Sequence, residues 1–211
     1  MTGHASKKNS KCPLDKQICE LSAHIDVAKA TKKPLMLHLR GWGALEAYLA
    51  IQDNDVVCTI LHSCCWEWPL VKMFLNRPNH YISVNSILTR THREAKLMRD
   101  AASLAPLSQI LIESDGPKIL VKNPSTKKLE GASPGCLMTT LKCLHSLRIE
   151  QKLTLEELAT QIEDNFIKIA SLSLSVSCDI ATIHIDLNVT CILLSSINCR
   201  NLILKQWKRF Q

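Results

Sequence analysis

The sequence predicts an α/β protein built on a parallel sheet, and three observations carry that prediction. Four short runs are nearly continuous in apolar residues, as strands buried on both faces are. Segments with helical spacing lie between them. The runs end near residues 38, 62, 86 and 115, intervals that suit one strand plus one crossover helix.

A helix opens the pattern, because Leu14, Ile18, Leu21, Ile25 and Ala28 recur at intervals of four and three and cover one face. The first strand is expected over 34–40 and the second over 56–62, with a helix near 44–52 between them. A helix near 66–76 leads to a third strand over 81–88, and a helix over 91–104 leads to a fourth over 109–115. No strand precedes the opening helix, so the chain reads as though it begins inside a larger alternation. After a polar loop over 121–134 comes a helix near 135–149. Thr154-Leu155-Glu156-Glu157 then fits a capping box, with Leu158, Ile162, Phe166 and Ile169 lining one face behind it. From Ser171 the character changes: residues 183–191 alternate apolar and polar side chains with a period of two, which suits an antiparallel or edge strand.

Composition narrows the class of protein. The 211 residues are 46% hydrophobic and 21% charged, which excludes wholesale disorder, collagen-like and coiled-coil sequences. No apolar run approaches the length of a membrane span and the opening residues lack a signal-peptide core, so a cytoplasmic or nuclear protein without a membrane partner is expected. Ten cysteines occur with no C-x-x-C, which reads as reduced thiols. The net charge of +7 sits at the ends, with four lysines against one aspartate in 1–16 and four basic residues without an acid in 200–211. Charge alone is therefore no nucleic-acid footprint.

The chemistry is expected at the carboxyl ends of the strands, where His38, His62 and Asp115 fall. A histidine at a strand edge is more commonly a hydrogen-bonded rim residue, and an aspartate before Gly-Pro is more commonly a turn former. Their recurrence at equivalent positions on separate strands points instead to a divalent-metal site, since in an α/β barrel those ends converge on one face.

Five segments carry a resemblance to a known family. They are Lys33-Pro34-Leu35-Met36-Leu37-His38-Leu39-Arg40, Leu61-His62-Ser63-Cys64, residues 81–90, Ile112-Glu113-Ser114-Asp115-Gly116-Pro117, and Asp164-Asn165-Phe166. Over roughly residues 14–172 the chain resembles the TatD-like metal-dependent deoxyribonucleases of the amidohydrolase-type barrels. The resemblance implies a partial TIM-type (β/α) barrel over 1–172 and a divergent tail over 173–211. It makes His38 and His62 metal ligands and Asp115 a metal-binding carboxylate that also takes a proton from the attacking water. It gives Glu113 a supporting role and lets Arg40 face the phosphate. The implied cofactor is a divalent cation, Zn2+, Mg2+ or Mn2+, and the implied substrate is DNA.

Two motifs of that family, a strand-end H-x-H and G-E-x-G-L-D, do not occur in this sequence. The loop His62-Ser63-Cys64-Cys65-Trp66 also lacks the aromatic residue and glycine of the family pattern. A degenerate barrel acting as a binding module, or a truncated product, is thus the rival expectation, and exposed sheet edges would favour self-association. Trp66 and Trp68 either pack the loop or stack on a base.

Overall fold

Apolar spacing of four and three produces helix α1 (Leu14–Thr31) in the computed structural model, which describes residues 13–39, 48–49, 51, 58–116, 119–122, 128–174 and 191–193. Leu21, Ile25 and Ala28 form its buried face. Lys32 closes the helix in the left-handed conformation, and the N–H groups of Lys32 and Lys33 satisfy the carbonyls of Lys29 and Ala28.

Strands β1 (Leu35–Leu37), β2 (Thr59–Leu61), β3 (His80–Val84) and β4 (Ile110–Ile112) follow, with helix α2 (Trp68–Phe74) between β2 and β3 and helix α3 (Arg93–Leu104) between β3 and β4. All three pairings, β1 with β2, β2 with β3 and β3 with β4, are parallel. A separate antiparallel pair, β5 (Leu120–Lys122) and β6 (Leu129–Gly131), precedes helices α4 (Leu137–Leu147) and α5 (Leu155–Leu174). Strand β7 (Cys191–Leu193) pairs antiparallel with β1, giving the order β4-β3-β2-β1-β7. Apart from Cys191, the expected period-two strand at 183–191 lies outside the described residues, as does most of the expected helix at 44–52.

The pleat divides the side chains between two cores. Leu35, Leu37, Leu61, Ile82, Val84 and Ile110 pack against the helices, meeting Phe74, Met98 and Leu144 among others. Ile60, Tyr81 and Leu111 point to the other face, where Cys58, Ile169, Met36 and Phe166 join them.

The strands are shorter than the apolar runs, and polar side chains explain where the third one stops. Asn85 accepts a hydrogen bond from the Ile87 N–H at 3.0 Å, which turns the chain into the short 3-10 helix Ser86–Thr89 instead of prolonging β3. His92 caps α3 by accepting from the Ala95 N–H. The capping box is present: the Thr154 hydroxyl accepts from the Glu157 N–H at 3.1 Å and the Glu157 carboxylate accepts from the Thr154 N–H at 2.7 Å.

Two buried amides tie the sheet to its surroundings. The Gln109 Nε2 donates to the carbonyls of Leu75, Arg77 and His80 at 3.0, 2.8 and 2.8 Å, knotting the α2–β3 turn to the start of β4. Asn165 donates to the Leu107 and Ile110 carbonyls, both at 2.8 Å, and docks α5 on the same end of β4. The motif Asp164-Asn165-Phe166 therefore contributes packing at the strand's amino end. Gln109→Leu keeps the volume but strands carbonyls in the interior, so the unfolding free energy falls by about 2–3 kcal/mol, read as a lower urea midpoint at unchanged slope.

Among the described residues no helix is long and apolar enough to cross a membrane. Cys19, Cys58, Cys136 and Cys143 are free thiols. Burial pushes the Cys58 thiol up to about 12, with Lys168 opposing weakly, so this cysteine stays protonated.

Candidate metal centre at the carboxyl ends of the strands

The ladders that end the strands set the backbone of the site. The His62 N–H donates to the Leu37 carbonyl at 2.8 Å and the Glu113 N–H to the Val84 carbonyl at 2.9 Å, so each residue prolongs its strand by one step. His62 therefore follows β2 directly, Glu113 follows β4, and His38 follows β1. Beyond them Ser63 and Asp115 take left-handed backbone conformations, with φ of 51° and 48°. Asp adopts that region more readily than most side chains, and Gly116 comes next. A Cβ on Gly116 would stand 1.9 Å from the Ala132 carbonyl oxygen, so glycine allows the segment after β6 to press against the Asp115 turn.

His62 lies between two carboxylates. Its Nε2 is 3.3 Å from Asp115 Oδ1 and its Nδ1 is 2.6 Å from Glu113 Oε2. The Nδ1 contact is a close charge pair, and this buried nitrogen has no aligned hydrogen-bond partner. One ligand atom each from His62, Glu113 and Asp115 falls within a 4.8 Å span. The His38 ring stands beside them, its centroid 5.2 Å from that of His62 and its plane tilted by 44°. Burial alone would lower the His62 pKa. The close carboxylates of Asp115 and Glu113, one at each ring nitrogen, more than reverse this and raise it to about 9. The site thus concentrates negative charge on one imidazole, and its nitrogen and carboxylate donors fit a divalent cation such as zinc.

Glu113 is itself held on both oxygens. The Ser83 hydroxyl donates to Oε2 at 2.6 Å and the Asn85 amide donates to Oε1 at 3.1 Å. Arg40, expected to face the phosphate, lies outside the described residues. Trp66 is buried and donates its indole N–H to the Leu39 carbonyl at 3.3 Å, which makes it a packing residue of the loop after β2.

A sequence profile of TatD related DNases matches residues 2–171. The chain belongs to the TatD family. An uncharacterized metal-dependent hydrolase of Buchnera aphidicola is 27% identical over 150 residues, 71% of this chain and 53% of that protein. The uncharacterized metal-dependent hydrolase TatD of Mycobacterium tuberculosis is 31% identical over 126 residues, 59% of this chain and 45% of that one. The human 3'-5' RNA nuclease TATDN2 is 28% identical over 138 residues, 63% of this chain and 18% of its own length. The chain spans about half the length of the bacterial TatD relatives named here. The crystal structure of YJJV, a TatD homolog from Escherichia coli, superposes with a TM-score of 0.63 at 20% identity, over 74% of this chain and 56% of that one. The fold of this TatD chain is accordingly α/β, consistent with part of a TIM-type barrel.

Sequence reasoning singled out His38, His62, Glu113 and Asp115 but passed over Ser63, Ser83 and Asn85. A signal existed: Tyr81, Ser83 and Asn85 share one face of a run whose other face is Ile82 and Val84. Two polar residues two apart, at the carboxyl end of a strand buried on both faces, need partners there.

Proposed function

We propose that this TatD chain hydrolyses phosphodiester bonds of nucleic acid with the help of a divalent cation, and that DNA is its substrate. The observation that carries the reading is the placement of His62 between Glu113 and Asp115, with His38 alongside, at the carboxyl ends of parallel strands. His38, His62 and Asp115 would hold the cation. When bound, it would polarise a phosphoryl oxygen and lower the pKa of its bound water towards about 7. Asp115 receives the proton as the water oxygen attacks phosphorus in line with the departing oxygen. Glu113 faces the far nitrogen of His62 and sets the ring, and Arg40 is the residue that the family resemblance assigns to the phosphate.

The full chain, stripped by chelation and reloaded with Zn2+, Mg2+ or Mn2+ in turn, is assayed on end-labelled DNA and RNA oligonucleotides. Cleavage of DNA that requires the added cation and stops with EDTA is expected. Cleavage confined to RNA would reassign the substrate towards that of the human relative. Cleavage indifferent to chelation, or a loaded chain that cuts neither polymer, would overturn the proposal.

A further inference from the structure

Resting on that metal-site reading, we propose that Ser83 and Asn85 are positioning residues that clamp Glu113 and the His62–Ser63 turn into a single arrangement, so that His62 meets a cation with its ring already oriented. Ser83 is 2% exposed and Asn85 is fully buried, so each polar atom they carry needs a partner inside the protein.

The direction of every bond in the cluster follows from its fixed donors. The Ser63 N–H donates to the Ser83 Oγ at 3.1 Å, so the Ser83 hydroxyl must spend its own hydrogen on Glu113 Oε2, 2.6 Å away. The Ile87 N–H donates to Asn85 Oδ1 at 3.0 Å, which fixes the amide orientation and turns both hydrogens of Nδ2 outward. One of them reaches Glu113 Oε1 at 3.1 Å and the other the Ser63 hydroxyl at 3.0 Å.

Both oxygens of Glu113 are therefore pinned, and a rotation of its carboxylate would break two bonds at once. Ser63 is pinned at its N–H and its hydroxyl, and its left-handed φ of 51° is held by those same two residues. His62 lies between the pinned carboxylate and the pinned turn. Apolar side chains would fill these two positions without any need for partners, so the network has an orienting purpose that packing does not require. Orienting groups of this kind around a metal histidine typically change affinity by about ten- to a hundredfold.

The test compares Ser83→Ala, Ser83→Thr and Asn85→Leu in the full chain, with Co2+ as the probe and Thr59→Val as a control for loss of a buried hydroxyl outside the cluster. In the metal-free protein the Ser63 amide should lose its protection against hydrogen exchange in Ser83→Ala and keep it in Ser83→Thr. Co2+ affinity should fall by about ten- to a hundredfold in Ser83→Ala and Asn85→Leu, with an altered visible spectrum, and stay near wild type in Ser83→Thr and Thr59→Val. Unchanged affinity and spectrum in Ser83→Ala or Asn85→Leu, while Asp115→Asn abolishes binding, would overturn the clamp and leave the metal site standing. A wild-type chain that takes up no Co2+ would overturn the metal site and the clamp's purpose with it, whatever the exchange of Ser63.

Discussion

Asp115→Asn is expected to lower the proposed phosphodiester cleavage by about a hundred- to ten-thousandfold while the protein remains folded. Asparagine is the informative substitution because it tolerates the left-handed φ of 48° that Asp115 adopts, whereas alanine would add backbone strain to the loss of charge. The side chain is partly exposed, so no dry cavity is left, and the stability lost at neutral pH is the share of the His62 interaction that Asp115 supplies. What disappears is one of the two carboxylates on His62 and, with it, the proton acceptor and cation ligand of the proposed reaction.

The same variant carries a pH signature in the metal-free chain. Burial lowers the His62 pKa, yet Asp115 and Glu113 together raise it from 6.5 to about 9. A raised folded-state pKa means that the protonated imidazole stabilises the fold fully below 6.5, and that this contribution is lost as the pH rises through about 9. In Asp115→Asn the upper edge of the window moves down towards 6.5, which an NMR titration of the His62 ring reads directly. Wild-type cleavage by the variant, or an unmoved His62 titration, would remove Asp115 from the assigned role.

How far the site was legible in the sequence depends on which signal each residue leaves. His38, His62 and Asp115 stood out because ionisable side chains at the ends of apolar runs are conspicuous, and Glu113 came with the family motif around Asp115. Ser83 and Asn85 did not, since a serine and an asparagine inside a mostly apolar run read as tolerated strand residues until the strand's neighbours are known. The helices were legible from periodicity, α1 and α5 most clearly, because one buried face suffices to reveal them. Strand lengths were less so. Whether the third run continues past Val84 is decided by the Asn85 side chain competing for a backbone N–H, which hydrophobicity does not record. The close approach of Gly116 to Ala132 is likewise a contact between segments that no local pattern encodes.

Arg148→Met destabilises the protein by about 3 kcal/mol although no carboxylate pairs with the guanidinium in the described contacts. Arg148 is 6% exposed, and burial lowers its pKa from the ordinary value. Its partners are carbonyl oxygens at the end of α3: Nε donates to Ala102 at 2.7 Å, Nη2 donates to Ala105, and Nη1 reaches Gln151 Oε1 at 3.4 Å. The last carbonyls of a helix have no partner within it and carry its negative dipole end. Helix α3 has no basic residue in its own last turn, so the charge that complements it arrives from the residue after α4. Methionine matches much of the arginine's length and apolar volume, so the loss isolates the polar contribution: two carbonyls left dry and a helix end without its cation. Arg148→Lys should recover only part of the difference, because one ammonium cannot reproduce the rigid fork that meets two carbonyls three residues apart. Urea unfolding at neutral pH orders the three proteins as wild type, lysine and methionine. A methionine variant as stable as wild type would mean that water satisfies those carbonyls and that the arginine is merely accommodated.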